Sequence, residues 1–194
     1  FLKLEKDSSD LENSKKFQIT YNGTLYSSQK IEIFITAIIN FIKKTPKPKI
    51  QICFPGLAYY VDQERRLKAL IKGYESFFII TKRIAKTEVL NIQKKSHVLL
   101  MIGHDNIKGI PSSKIYEYIS LQKPILLVNS DKDILENTVK DSGLGFIVNS
   151  SEETLQVIEE MYLKFESCIS IIKRFNKEKV SEFSRENSSK LLAS

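Results

Sequence analysis

Six short apolar runs, separated by longer segments of mixed polarity, constrain the fold of this chain more than any other feature. The runs cover residues 17–21, 50–54, 77–80, 98–102, 125–128 and 146–148. They are rich in Ile, Val, Leu and Phe and are mostly continuous, without polar residues at alternate positions. Continuous apolar runs of this length are typical of strands that are buried on both faces. The sequence therefore predicts six internal strands.

Helical periodicity fills the intervals between these runs. It is clearest for a predicted helix whose apolar side recurs at the spacing of one helix face: Ile31, Phe34, Ile35, Ile38, Ile39 and Ile42. The other predicted helices are 63–72, 85–94, 113–120, 133–140, 151–165, 168–176 and 179–192. Strands that alternate with helices favour a parallel sheet with right-handed crossovers. We expect an α/β, Rossmann-like, doubly wound six-stranded sheet with helices on both faces and extra C-terminal helices within 168–193.

A doubly wound sheet places a crevice at the carboxyl ends of its first and fourth strands. Here those ends lead into two polar loops, residues 22–28 and 103–109. The second loop runs into the helix predicted at Ser113, whose free N–H groups and positive dipole end would favour an anion. The sequence therefore predicts an anion site in this crevice, suited to a nucleotide diphosphate.

Several residues of the crevice have the chemistry for such a ligand, although each also has a structural explanation. Gly23 would let a phosphate approach the backbone, or would only form a tight turn. Ser112 or Ser113 is a natural N-cap, and Lys114 faces either phosphate or solvent. Glu117 lies one residue too far along for a capping box, which favours a ligand role such as holding ribose hydroxyls.

His104 and Asp105, in the second loop, are further candidates for ligand contact. No pair of histidines or carboxylates has metal-ligand spacing, and no Ser/His/Asp set is visible. The first strand is not followed by GxGxxG, and the chain has no P-loop lysine, which argues against dinucleotide dehydrogenases and P-loop NTPases. The sequence thus predicts nucleotide binding without a dedicated metal.

Composition and charge limit the partners. The 194 residues suffice for one domain, and the formal net charge is +7. The basic residues are spread along the chain without interleaved aromatic residues, so nucleic-acid binding is not expected. A solvated surface explains the charge, and contact with an anionic membrane surface is the better functional alternative. Cys53 and Cys168 lie far apart, as in a reducing cytosol, and no apolar run approaches a membrane span, so a cytoplasmic location, peripheral at the inner membrane face, is expected.

Three motifs carry a family resemblance. They are Tyr21-Asn22-Gly23-Thr24-Leu25-Tyr26, Pro111-Ser112-Ser113-Lys114-Ile115-Tyr116-Glu117-Tyr118-Ile119 and Lys123-Pro124-Ile125-Leu126. Together they resemble the C-terminal, donor-binding domain of a GT-B glycosyltransferase, most closely the retaining group-1 (GT4-like) enzymes that build bacterial surface polysaccharides. The resemblance spans about residues 17–193, and its tail from Phe183 to Leu192 is similar to the last helix of that family.

The resemblance implies a nucleotide-sugar donor, UDP-sugar before GDP-sugar, bound without a metal or other cofactor. Glu117 matches the second glutamate of the Glu-seven-residues-Glu motif, which holds the ribose. The first glutamate falls at Gly109, so Asp105 or the backbone N–H groups of residues 108–110 are expected to substitute for it. The resemblance thereby assigns the catalytic contacts to Glu117 and Asp105.

Two other groups of the donor site also follow from the resemblance. The phosphate-binding arginine and lysine of the family align with Thr24 and Lys30, of which only Lys30 keeps the charge. The base is expected near Arg83 and Ile84, after the third strand. The resemblance implies that the acceptor-binding N-terminal domain lies outside this chain, that residues 1–16 are the interdomain linker, and that residues 17–194 are the donor domain. We expect this chain alone to bind nucleotide but to transfer sugar poorly or not at all.

Two other functions remain open from the sequence. The first is a flavodoxin-like or receiver-like regulatory module, in which Glu117 is a surface residue and the crevice loops are only turns. The second is a sugar-nucleotide epimerase of GT-B architecture, which would use the same donor crevice.

Overall fold

The six predicted strands form one parallel sheet. The structure, a computed structural model, describes residues 16–110, 112–172 and 175–183. The strands are β1 Phe17–Thr20, β2 Ile50–Phe54, β3 Phe78–Ile80, β4 Val98–Ile102, β5 Ile125–Val128 and β6 Gly145–Val148. Every neighbouring pair is parallel, and the order across the sheet is β3-β2-β1-β4-β5-β6. The predicted doubly wound sheet is confirmed.

Helices connect the strands in the described part of the chain. They are α1 Ile31–Lys44, α2 Val61–Leu70, α3 Lys86–Lys95, α4 Ser113–Ser120, α5 Ile134–Ser142, α6 Ser151–Glu166 and α7 Lys177–Glu182. Two short 3-10 turns, Leu57–Tyr59 and Glu75–Phe77, precede α2 and β3. Residues 1–15 and 184–194 lie outside the described residues, as do Pro111, Lys173 and Arg174, so the predicted linker stays a prediction.

The predicted helix 168–176 is wrong for the residues described there, which form no helix. Cys168 has a left-handed backbone (φ 54°), and the Ile169 N–H donates to the Lys164 carbonyl at 2.8 Å. This pattern ends a helix, and it is usually made by glycine, which is why a cysteine there gave no signal. The following helix begins at Lys177, two residues before its predicted start, and its predicted continuation beyond Phe183 lies outside the described residues.

The helices cover both faces of the sheet, as right-handed crossovers require. One core cluster packs α1 and α6 against the sheet through side chains such as Phe34, Ile38 and Tyr162. The cluster on the other face includes Ile115 of α4 and Val139 of α5. The apolar stripe of α1 is thus explained by burial against the sheet.

The strand order decides where ligands can bind. Flavodoxin-like folds have the strand order 2-1-3-4-5, with the reversal between the first and third strands, whereas this sheet has the order 3-2-1-4-5-6, with the reversal between β1 and β4. The flavodoxin-like or receiver-like alternative is therefore wrong at the level of the fold. The reversal leaves a crevice at the carboxyl ends of β1 and β4, where the two polar loops meet.

The cysteines and the apolarity of the helices also bear on what the sequence predicts. Cys53 is buried in β2, and burial raises the pKa of its thiol to about 11, whereas Cys168 is exposed. No helix within the described ranges combines the length and apolarity needed to cross a bilayer.

Candidate functional site

Gln29 joins the two crevice loops. This buried side chain lies in the loop between β1 and α1, and its Nε2 donates to the Ile102 carbonyl at the end of β4 over 2.7 Å. Its Oε1 accepts from the Tyr26 N–H at 3.0 Å and lies 3.1 Å from the Tyr21 hydroxyl. All of these polar atoms are satisfied within the protein, so Gln29 has a structural role. Sequence reasoning missed it, because its partner on β4 is 73 positions away.

Further contacts hold His104, Asp105 and Lys30 together across the same junction. The Asp105 N–H donates to the Ser28 carbonyl at 2.8 Å, and Ser28 Oγ lies 2.7 Å from His104 Nδ1. Lys30 Nζ is 2.8 Å from Asp105 Oδ1. The structure thus brings three predicted site residues together, but each of them already has a partner. The ion pair offsets the charge of Lys30, which the resemblance assigned to phosphate.

Lys114 reaches across the crevice to Gly23. Gly23 has φ 103°, and a Cβ built on it would overlap Cε and Nζ of Lys114. The ammonium also lies 5.6 Å from the centroid of the Tyr21 ring. Burial lowers the pKa of Lys114, and the charge of Glu117 only partly opposes this shift. The crevice therefore holds a partly desolvated cation against a glycine backbone, where an incoming anion could approach.

Helix α4 presents an uncapped N-terminus to the crevice. Ser112 occupies the N-cap position with an extended backbone, but its side chain makes no capping hydrogen bond, and Ser113 is exposed. Glu117 lies one turn further along and is half-buried. Its carboxylate makes no hydrogen bond or ion pair with any described residue. Glu117 is thus available to a ligand.

Tyr118 anchors α4 to the end of β1. The side chain is fully buried, and its hydroxyl accepts a hydrogen bond from the Asn22 N–H at 3.0 Å. Burial raises the pKa of the Tyr118 hydroxyl, and that of Tyr21 is raised for the same reason, so both stay protonated. Tyr118 therefore fixes the position of α4 relative to Gly23, a role that sequence reasoning missed because the residue reads as core.

The loop before α4 meets a carboxylate that was not among the candidates. The Gly109 N–H donates to Asp133 Oδ2 at 2.8 Å, from the residue that precedes α5. One of the backbone donors expected at residues 108–110 is thus already bonded. Asp133 instead brings a carboxylate to the point where the family motif has its first glutamate.

The base-binding candidates lie further along the same edge. Arg83 is exposed and Ile84 is half-buried in the loop after β3. This loop is tied to the loop after β2, because Thr81 Oγ1 accepts from the Gly56 N–H at 3.1 Å. Strand β2 separates β3 from β1, and no described contact joins Arg83 to the crevice residues. Thr24 is half-buried in the β1 loop, and its carbonyl accepts from the Tyr21 hydroxyl at 2.7 Å.

Arg66 of α2 supports the β1–α1 loop from outside. Its Nε and one terminal nitrogen contact the two carboxylate oxygens of Glu32 at 2.8 and 2.7 Å. It also donates to the Gln29 carbonyl at 2.9 Å and the Tyr26 carbonyl at 3.3 Å. Burial would raise the pKa of Glu32, but the hydrogen bonds and charge of Arg66, together with a backbone hydrogen bond, lower it overall. The sequence alone predicts that Arg65 and Arg66 are a pair of solvent-exposed basic residues, so it did not indicate this supporting role of Arg66.

No cluster of three or more His, Cys, Asp or Glu side chains that could hold a metal ion occurs within the described ranges. Independence from metal nevertheless stays a prediction.

Comparison with known proteins places this geometry in a structural class. No family model matches the chain, and no curated protein matches its sequence. Solved structures do match. A glycosyltransferase from Rickettsia africae gives a TM-score of 0.72 at 16% identity, over 93% of this chain and 47% of that chain. Sucrose-phosphate synthase from Thermosynechococcus elongatus gives a TM-score of 0.70 at 15% identity, over 93% of this chain and 44% of that one. A UDP-GlcNAc 2-epimerase from Neisseria meningitidis, bound to UDP-GlcNAc, gives a TM-score of 0.61 at 15% identity, over 96% of this chain and 46% of that chain.

These similarities define the fold. The chain has the Rossmann-like fold of one half of a GT-B protein, which confirms the resemblance drawn from its motifs at the level of the fold. It spans a little under half the length of each of these three structures.

Proposed function

We propose that this chain is the nucleotide-sugar-binding half of a retaining glycosyltransferase. It binds an NDP-sugar, UDP-sugar in preference to GDP-sugar, and the complete enzyme transfers the sugar to a surface-polysaccharide or lipid-linked acceptor. The observation that carries the proposal is the unpartnered Glu117 carboxylate one turn inside α4, beside the Lys114 ammonium that lies against Gly23. A carboxylate for ribose hydroxyls and a cation for the diphosphate therefore stand together at the switch point of the sheet.

The proposed roles follow from these positions. The diphosphate lies between Gly23 and the uncapped N-terminus of α4, where N–H groups and Lys114 stabilise its charge. The same groups stabilise the departing nucleoside diphosphate when the sugar bond breaks, so no metal is needed. Glu117 accepts hydrogen bonds from the ribose. The base lies towards Arg83 and Ile84.

Two carboxylates compete for the sugar contact that the absent first glutamate would make. Asp105 is the substitute expected from the sequence, but its carboxylate is paired with Lys30. Asp133 is bonded to the backbone at Gly109, the position of the absent glutamate. We expect Asp133→Asn to weaken binding of the sugar nucleotide while leaving the affinity for the free nucleoside diphosphate unchanged. Asp105→Asn, which frees Lys30, tests the alternative.

The remaining partners belong to the complete enzyme. A second domain binds the acceptor, and the complete enzyme contacts an anionic membrane surface. The chain alone is expected to bind the donor without sustained transfer. Transfer to an acceptor by these 194 residues alone would contradict this.

Calorimetric titration of the chain with UDP, GDP and FMN tests the proposal. Glu117→Ala and Lys114→Ala are each expected to weaken nucleoside diphosphate binding by about 1.5–3 kcal/mol, roughly ten- to a hundredfold. The matched control is Glu152→Ala, which removes an exposed carboxylate from the first turn of α6. This helix follows β6 at the same edge of the sheet, two strands away from β4. It should leave the affinity unchanged. Equal losses in Glu117→Ala and Glu152→Ala, or preference for FMN, would contradict the proposal.

A sugar-nucleotide epimerase is the second candidate. The observation that favours it is the structural similarity to a UDP-GlcNAc 2-epimerase crystallised with UDP-GlcNAc. Both functions predict the same nucleotide titration, so the products formed by the full-length protein separate them. Conversion of a UDP-sugar to its epimer without acceptor supports the epimerase, whereas acceptor-dependent release of UDP supports the transferase.

A further inference from the structure

The basic residues that are scattered in sequence are collected by the fold at the amino edge of the sheet, opposite the crevice. Four strands that are adjacent in space, β2, β1, β4 and β5, are each preceded by a lysine that lies one to three residues before the strand begins. The ends of α1 and α3 add two lysine pairs to this edge. Together they form what we call the lysine edge: Lys16, Lys43, Lys44, Lys47, Lys49, Lys94, Lys95 and Lys123.

Backbone contacts confirm that these segments are neighbours. The Phe17 N–H donates to the Lys49 carbonyl at 2.6 Å, and the Leu99 N–H donates to the Pro124 carbonyl at 2.8 Å. The charge of Lys123 contributes to the low pKa of His97, at the start of β4. At about 4.8 Å between strands, the row from β2 to β5 is roughly 15 Å wide.

Little negative charge opposes this row. Segments 43–49, 92–97 and 120–124 contain no Asp or Glu. Within the described ranges, Lys44 pairs with Glu159 at 3.7 Å, while Lys47, Lys49 and Lys123 have no ion pair. Glu166, at the end of α6, adds one more carboxylate near this edge. The lysine edge thus keeps a strong positive excess.

Helix stability explains only part of the row. Lys43, Lys44, Lys94 and Lys95 stabilise the C-terminal ends of α1 and α3. Lys47, Lys49 and Lys123 are in loops and gain nothing from a helix dipole. Lys47 has φ 48° between Pro46 and Pro48, a left-handed backbone that glycine or asparagine adopts at lower cost. Lysine is therefore not the residue that the backbone of this turn favours, and a role for its charge would account for it.

We propose that the lysine edge binds the surface of an anionic membrane. The row contains lysine and no arginine, and lysine acts as a point charge suited to a diffuse layer of lipid phosphates. The exposed tyrosines of the chain, Tyr26, Tyr59 and Tyr60, lie on loops at the opposite edge, so the row lacks the stacking side chains of a nucleic-acid site. This geometry leaves the crevice open to solvent while the chain rests on the bilayer. The assignment gives the proposed membrane contact a location and does not depend on the donor site.

Vesicle co-sedimentation tests the lysine edge. The probes are vesicles of mixed phosphatidylglycerol and phosphatidylcholine, compared with phosphatidylcholine alone, at low and high NaCl. We expect binding only to the anionic vesicles, with loss at high salt. Replacing Lys47, Lys49, Lys94 and Lys95 by Gln should lower the partition coefficient by roughly fivefold per lysine, or on the order of six hundredfold for all four.

The control variant replaces the exposed Arg65, Lys82, Lys86 and Lys132 by Gln, which removes the same charge from the middle of α2 and from the carboxyl side of the sheet. It should retain most of the binding, and both variants should keep the thermal stability and the UDP affinity of the parent chain. Equal losses in the two variants would overturn the proposal, since net charge alone would then explain binding. Absence of vesicle binding, or edge-dependent binding to an oligonucleotide instead, would also overturn it. Because UDP affinity is measured separately, failure of the membrane contact does not affect the donor-site proposal.

Discussion

At the scale of single residues, the crevice depends on a glycine that leaves room for a lysine. Gly23→Ala introduces a Cβ that overlaps Lys114 and forces a side chain onto φ 103°. We expect the free energy of unfolding to fall by about 1–3 kcal/mol and Lys114 to be displaced. A double-mutant cycle with Lys114→Ala separates the two causes, because removing Lys114 relieves the overlap but not the backbone strain. Strictly additive losses in urea denaturation would show that the two residues are not coupled.

His97 gives the fold a pH dependence at the opposite edge. Burial, aided by the charge of Lys123, lowers the pKa of its ring from 6.5 to about 4. The unfolded chain therefore binds a proton that the folded chain excludes, so stability is complete above pH 6.5 and falls as the pH drops towards 4. The loss is at most about 1.4 kcal/mol per pH unit and is reduced by partial solvation of the ring.

His97→Asn checks this dependence, because its Oδ1 can still accept the hydrogen bond that the Gln18 N–H donates to His97 Nδ1 at 3.0 Å. The variant should show a flatter fall in urea midpoint between pH 7 and 4.5 than the parent chain. Identical slopes for the parent and His97→Asn would assign the acid sensitivity to other groups.

At the scale of elements, α2 positions the β1–α1 loop through one side chain. Arg66→Lys keeps the charge but cannot hold both oxygens of Glu32 and the carbonyls of Gln29 and Tyr26 together. We expect a loss of about 1–3 kcal/mol in the free energy of unfolding and weaker UDP binding. Arg65→Lys is the matched control, since Arg65 is exposed and contacts only Asp62 at 3.4 Å. Its effect should stay within about 0.5 kcal/mol, and a similar effect for both variants would contradict the role of Arg66.

The strands and most helices were predictable because their signals are local. Strand β4 is apolar at every position, and each of its residues is buried, so the apolar run alone is enough to predict the strand. The end of α6 was predicted to within one residue, but the non-helical segment that follows it was not, because no glycine or proline marks the left-handed backbone at Cys168. The sequence could place Lys114 and Glu117 on one helix, but it could not show that Lys114 reaches Gly23 or that Asp133 meets Gly109. Such contacts depend on the packing of distant segments.

At the scale of the whole molecule, strand order converts dispersed residues into surfaces. Lys49 and Lys123 are 74 positions apart in the chain, yet they precede strands in the same continuous part of the sheet. The same order brings the loops after β1 and β4 together at the other edge. The two edges thus have different chemistry, with an excess of lysines on one side and a crevice of glycine, lysine and glutamate on the other.

A ligand in that crevice would connect the two halves of the sheet, since Gly23 follows β1 and Glu117 lies beyond β4. UDP binding should therefore stabilise the chain as a single cooperative unit. At a UDP concentration of a hundred times Kd, linkage gives about 2.7 kcal/mol, or roughly 5–10 °C in Tm for a chain of this size. Differential scanning calorimetry should show one transition that moves as a whole, while Glu117→Ala at the same UDP concentration should move far less. Splitting of the transition, with only part of the heat shifted to higher temperature, would show that the ligand contacts one half of the sheet and not both.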